Sequence, residues 1–269
     1  MSSDVYTLLS GELPLLISVP HAGTWVPPEL IERMTPDALT LPDTDWHVDR
    51  LYEFARQRGC GLIVATHSRY VVDLNRDPEG KALYPGADNT ELCPLTTFAK
   101  RPIWREGAAP DEAEIEARRL RWWAPYMEAV AAELAFMRQK FGVAVLWDAH
   151  SIASRVPRFF EGRLPNFNLG TVGGIACEEY LATRVFAALK GVEGFSAVLN
   201  GRFKGGYITR RFGRPDKGVH ALQLEMAQAA YMAEEPPWAW NGRRADAVRP
   251  ALDAALAAIL AWAKGRMKS

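Results

Sequence analysis

The sequence predicts a single α/β domain over residues 1–269, a mixed, mostly parallel sheet with helices on both faces. Three observations predict it. Short apolar runs at 15–19, 61–66 and 143–147 lack the polar alternation of a half-exposed strand, so they read as strands buried on both sides. Longer stretches between them repeat apolar residues at helical spacing. Polar residues able to do chemistry follow the apolar runs, at the strand ends where open α/β sheets bind ligands. A chain of 269 residues can bury one sizeable core, and it shows no repeat, low-complexity tract or long linker.

Each element follows in order. Residues 15–19 lie between Pro14 and Pro20 and lead straight into His21-Ala22-Gly23. Over 43–57, Trp46, Leu51, Phe54 and Ala55 recur at helical spacing, and Gly59 supplies a stop. Residues 61–66 and 70–74 form two strands, the second leaving through Asn75-Arg76-Asp77-Pro78. The stretch 111–140 is an amphipathic helix that Pro125 must kink or divide, because proline lacks an amide hydrogen and clashes with the preceding turn. After Phe141-Gly142, strand 143–147 runs into Asp148-Ala149-His150-Ser151. A glycine-rich turn, Gly170 to Gly174, precedes a helix over 178–189. A strand over 195–199 is followed by Gly205-Gly206-Tyr207 and the pair Arg210-Arg211. Strand 219–226 carries Glu225 near its end, and 244–264 is an alanine-rich helix with one apolar face.

Composition removes several functions. Lys plus Arg equals Asp plus Glu at 32 each, so no global field favours nucleic acid or an anionic membrane. An acidic substrate must therefore be drawn by a local cluster of arginines. Cys60, Cys93 and Cys177 form neither a metal-type spacing nor a disulfide framework and fit a reducing cytoplasm. Met1 to Pro14 lacks the basic start and apolar run of a signal peptide. No apolar stretch approaches the roughly 18 residues of a membrane span. The expectation is a soluble cytoplasmic protein with neither nucleic acid nor membrane as partner.

The candidate chemistry begins with a metal site. Hydrolytic zinc takes three protein ligands from His, Asp or Glu and leaves a position for water. His21 and His150 each follow a buried strand, which brings them together in a parallel sheet, whereas His67 and His220 lack that setting. A carboxylate from Asp43-Thr44-Asp45-Trp46-His47-Val48-Asp49 would complete the set. Asp45 and Asp49 would share a helix face, Asp43 suits a helix cap, and Asp49 is the alternative ligand or a group orienting a ligand histidine. Arg69, Asn75, Arg76, Arg210 and Arg211 near strand ends offer two-point recognition of carboxylates, against the plainer reading of ion pairs with Asp73 or Asp77. Glu225, closing an apolar strand, is costly to bury unless paired or functional, and beside activated water it reads as a general base. No Gly-x-Ser-x-Gly elbow and no phosphate-cradling loop is present.

Val19-Pro20-His21-Ala22-Gly23, Asp43-Thr44-Asp45-Trp46, Val72-Asp73-Leu74-Asn75-Arg76, Asp148-Ala149-His150-Ser151 and Leu224-Glu225 occur in that order. With Gly205-Gly206-Tyr207-Ile208-Thr209-Arg210, they resemble the N-formylglutamate amidohydrolase family over about residues 13–237. The resemblance implies a phosphorylase/hydrolase-like α/β fold, similar to zinc carboxypeptidases and aspartoacylase. Those relatives carry a His-x-x-Glu pair, a later histidine, an Asn-Arg pair and a glutamate base. His21 matches the first histidine, but Thr24 stands where the acid is expected, and Asp45 takes over that role after an inserted loop. Asp73-Leu74-Asn75-Arg76 is similar to aspartoacylase's substrate-carboxylate motif, His150 to the last ligand and Glu225 to the base.

The activity so implied is hydrolysis of N-formyl-L-glutamate to formate and L-glutamate, in histidine degradation. One divalent ion, zinc by ligand type, would sit on His21, Asp45 and His150. A small dicarboxylate N-acyl amino acid would be held by residues drawn from Arg69, Asn75, Arg76, Tyr207, Arg210 and Arg211. Open alternatives are a deacylase of another N-acyl amino acid, a carboxypeptidase-like exopeptidase, and a non-catalytic metal or amino-acid binding protein.

Overall fold

The computed structural model describes residues 5–83, 86 and 88–267; residues 1–4, where the segment read for a signal peptide begins, lie outside them. Seven strands form one sheet: β1 (Tyr6–Leu9), β2 (Leu15–Val19), β3 (Gly61–Ala65), β4 (Ala144–Ile152), β5 (Phe167–Gly170), β6 (Ala197–Leu199) and β7 (Val219–Ala227). Their order is β1-β3-β2-β4-β7-β5-β6. The central β3, β2, β4 and β7 run parallel, while β1 and β5 join antiparallel to β3 and β7. The expected mixed, mostly parallel sheet is the one observed. From β2 the chain crosses to β3 on one side and later to β4 on the other, so the strand order reverses between β2 and β4. A crevice opens at the carboxyl ends of such a pair.

Helices α1 (Pro28–Ile31), α2 (Pro36–Leu39), α3 (Val48–Leu51), α4 (Glu112–Arg118), α5 (Ala124–Phe141), α6 (Glu179–Lys190), α7 (Tyr207–Phe212) and α8 (Gly242–Lys264) surround it. Strand alternation splits the core in two. Leu15, Ile17, Val145, Trp147 and Leu222 pack on the face that α6 and α8 cover. Leu16, Ile63, Leu146 and Ala221 pack on the face that α5 covers. On that second face the same alternation continues along β4 from Ala144 and Leu146 into Asp148 and His150. The strand thus turns from core to site without changing face.

Three expectations need correction and a fourth is met. Residues 70–74 are not a strand: Tyr70, Val71, Val72 and Leu74 are buried in the α5-side core, but the free edge of β3 is already taken by β1, with Tyr6 opposite Ala65. Their backbone bonds locally instead, Val71 N–H to Ser68 and Asp73 N–H to Leu92. The helix over 43–57 shrinks to α3 and a 3₁₀ turn at Glu53–Arg58, because His47 sits at φ 64° and breaks helical continuity. The 111–140 helix is divided as Pro125 requires, by a π-helical turn at Arg119–Trp123. Strand 143–147 runs on as β4 to Ile152, so His150 lies within the strand and not beyond it.

Candidate active site

His21 enters the crevice two residues past β2, where Asp45 N–H donates to the His21 carbonyl at 3.0 Å and pins the two segments together. His150 enters from β4 and Glu225 from β7, and these two are in-register partners of the parallel pair. The imidazoles of His21 and His150 lie 4.9 Å apart, both buried. One donor atom from each of His21, Asp45 and His150 lies within 4.8 Å of the others.

The orientation of the rings matters more than their proximity. His21 Nε2 is 2.7 Å from Asp73 Oδ1, and His150 Nε2 is 3.2 Å from Asp148 Oδ1. His21 therefore gives its Nε2–H to the buried Asp73 carboxylate, His150 Nε2 stands between Asp148 Oδ1 and Asn75 Nδ2, and both rings turn Nδ1 toward Asp45. The Nδ1 atoms stand 3.7 Å and 3.1 Å from Asp45 Oδ2. A carboxylate that holds the far nitrogen of an imidazole fixes its tautomer and leaves the near lone pair for a cation. Two imidazole nitrogens and one carboxylate oxygen, desolvated and convergent, are a donor set suited to a divalent ion. The Ser151 amide, 3.2 Å from Asp45 Oδ2, further fixes the carboxylate.

Asp73 and Asp148 are themselves anchored. Arg69 Nη2 donates to Asp73 Oδ2 at 2.6 Å and the Asn75 amide to Oδ1 at 2.9 Å. Burial opposes the charge on Asp73, but Arg69 and Arg76 outweigh it and hold the carboxyl well below the usual range. Asp148 accepts from Ser18 and Thr209, each at 3.2 Å. Asp45 is likewise held low, since the two histidines overcome its burial. Glu225 goes the other way: burial, reinforced by the Asp45 charge, pushes it up to about 8. A carboxyl poised near neutrality is suited to moving a proton in either direction.

The cavity over these groups, about 630 Å³ with its open mouth, is lined by His21, Asp45, Arg69, Asn75, Arg76, His150 and Glu225. Seven of the ten residues expected at the site are thus brought together. Tyr207, Arg210 and Arg211 do not line it: α7 turns Tyr207 onto Trp123, with ring centres 5.6 Å apart, and Arg211 onto Tyr207. Arg210 Nε donates to the Gly205 carbonyl. What α7 contributes is backbone, for Ile208 N–H holds Asn75 Oδ1 at 2.9 Å and Asn75 Nδ2 lies 3.1 Å from His150 Nε2.

Asp43 is no helix cap; it is buried and accepts from Tyr70 Oη at 2.6 Å and the Phe98 amide at 2.8 Å. Burial raises its pKa. Asp49 is exposed on α3 and orients no histidine. The expected pairing of Arg69 with Asp73 is present, so Arg69 is both a cavity wall and a structural partner. Residues that sequence reasoning passed over include Arg202, Gln223, Phe98, Phe159 and Phe203 in the wall, and Asp148 behind His150. Asp148 carried a readable signal: an acid two residues before a histidine in a buried strand shares that histidine's face.

Known proteins resemble this chain over most of its length. The sequence profile of the N-formylglutamate amidohydrolase family matches residues 13–232. An N-formylglutamate deformylase of Pseudomonas aeruginosa is 48% identical, over 98% of both chains. One from Pseudomonas putida is 45% identical, over 97% of this chain and 98% of its own. Among solved structures, the crystal structure of an N-formylglutamate amidohydrolase from Ralstonia eutropha JMP134 superposes with a TM-score of 0.81 at 27% identity, covering 97% of this chain and 98% of that one.

Proposed function

The chain belongs to the N-formylglutamate amidohydrolase family, and from that membership and the site's geometry we propose that it hydrolyses N-formyl-L-glutamate to formate and L-glutamate with one bound divalent ion, zinc by ligand type. The observation that carries the reading is the paired orientation of His21 and His150, Nε2 on Asp73 and Asp148 and Nδ1 on Asp45. In this reading His21, Asp45 and His150 hold the ion. An ion there supplies Lewis acidity, polarising the formyl carbonyl and making water more acidic.

The remaining chemistry falls to the chain's own groups. Glu225 takes the proton of the attacking water on its carboxylate and returns it to the leaving amine nitrogen. It lies opposite His150 in register and lines the same cavity as the His–Asp–His cluster. Asn75, Arg76 and Arg69 receive the substrate's carboxylates. Arg76 is braced by Thr90, and Arg69 by Asp73 and by the face of Phe98, 4.8 Å from its guanidinium carbon. Such braced cations recognise anions with little ordering cost.

The three cysteines are free and buried, as suits work in a reducing cytoplasm. Among the described residues no helix is long and apolar enough to cross a membrane. In this reading the protein works in histidine degradation. Formate release from N-formyl-L-glutamate, before and after chelation and zinc restoration, tests the proposal. Release that chelation stops and zinc restores supports it. Release indifferent to chelation overturns the metal assignment, and preference for formyl-aspartate, succinyl-glutamate or a peptide overturns the substrate.

A further inference from the structure

Away from the catalytic cavity a second concavity lies between α5 and α7. Leu134, Phe212 and Val219 give it an apolar floor, and it encloses about 800 Å³ counting its open mouth. Four cations border it: Arg138, Arg211, Arg214 and Lys217. No carboxylate lines it, and none of the four takes part in an ion pair among the described residues. A chain of zero net charge thus gathers four uncompensated positive groups around one apolar hollow.

The walls are set in advance. Arg214 and Val219 exchange two backbone hydrogen bonds, at 2.7 Å and 3.1 Å. The buried side of α7 is fixed by Ile208 N–H on Asn75 and Thr209 Oγ1 on Asp148. Arg214 Nη1 is turned back onto the carbonyls of Arg210 and Gly213, and Arg211 donates to Tyr207 Oη. A preformed apolar hollow of some hundreds of cubic ångströms bordered by a few polar groups is the usual form of a small-molecule site. Its charge selects an anion and its floor selects an apolar body.

We propose that this groove is a second binding site, distinct from the catalytic cavity, for a small organic anion with an apolar body. The anionic head lies among Arg138, Arg214 and Lys217, and the body covers Phe212 and Val219.

The test is calorimetric titration of the full-length, zinc-loaded protein with 4-phenylbutyrate and its neutral analogue 4-phenylbutanol. Expected are saturable binding of the acid, binding of the alcohol about tenfold weaker or more, and about tenfold loss for the acid in Arg138→Ala/Lys217→Ala. Both residues are exposed and outside the catalytic cavity, so formate release by this variant stays at the unmodified level. Undetectable binding at millimolar acid, equal binding of acid and alcohol, or binding unchanged in the variant overturns the proposal. So does displacement of the acid by N-formyl-L-glutamate, which would put it in the catalytic cavity.

Discussion

His150 and Glu225 stand opposite one another as an in-register pair on the parallel strands β4 and β7, and so project from the same face of the sheet. Glu225 thus lines the same cavity as the His21–Asp45–His150 cluster. Glu225→Gln keeps the shape and removes the titrating oxygen. It is expected to lower kcat by roughly a factor of 10²–10⁴, with metal content unchanged. Formate release together with elemental analysis checks this; a variant that turns over normally removes Glu225 from the mechanism.

Asp148 lies behind His150, with Oδ1 3.2 Å from Nε2, and does not line the cavity. Changing it to Asn keeps a partner for Ser18 and Thr209 but removes the negative charge 3.2 Å from His150 Nε2. Zinc affinity should fall about 10- to 100-fold while the folded structure persists, as a competitive chelator titration would reveal. Undiminished affinity would make Asp148 a packing residue only.

How much of this was legible follows from which forces act locally. His21, His150 and Glu225 could be read because an apolar strand ending in a polar residue is a local pattern. Asp45 was legible as an acid but not in its setting, because the left-handed His47 breaks a helix that residue spacing alone would continue. Residues 70–74 have the composition of a strand, and only the competition of β1 for the edge of β3 decides otherwise. Tyr207, Arg210 and Arg211 stand beside the right segment, yet α7 turns the Ile208 amide, and not their side chains, toward Asn75. Arg202, Phe98 and Phe159 arrive on loops whose paths are set by tertiary contacts, such as the bond from Arg202 Nε to the Phe159 carbonyl.

His220 ties stability to pH. Its ring lies edge-on to Trp262, with centroids 4.6 Å apart, and its Nδ1 accepts from the Glu178 amide at 3.3 Å. Burial pushes its pKa down to about 4. The folded state therefore refuses a proton that the unfolded chain takes near 6.5. Above that pH both states are neutral and His220 has no pH-dependent effect. As pH falls from about 6.5 to 4, stability is lost, by on the order of 2 kcal/mol, and the loss levels off below. His220→Gln cannot titrate, so the stability difference between parent and variant should shift in the variant's favour over that window in urea unfolding at pH 7, 5.5 and 4. A constant difference would show that His220 ionises alike in both states.

The last prediction isolates the backbone contribution of α7. Gly206 precedes this helix, and its amide donates to Gln223 Oε1 at 2.6 Å. Its φ of −84° is open to any residue, so alanine there meets no backbone strain. The obstacle is Asn75: a Cβ on Gly206 would fall 2.2 Å from Asn75 Nδ2 and 2.5 Å from Oδ1. Both are the ends of a side chain, which must move and in doing so leaves Ile208 N–H and the His150 ring. If Asn75 receives the substrate, Gly206→Ala should raise KM by about 10- to 100-fold. The thermal midpoint should move little, because the clash ends at a cavity with room to relax. Steady-state kinetics beside a melting curve separates the outcomes. A large fall in stability would mean that Asn75 chiefly braces the fold, whereas unchanged KM and stability would show that Asn75 can move without loss and is not a substrate contact.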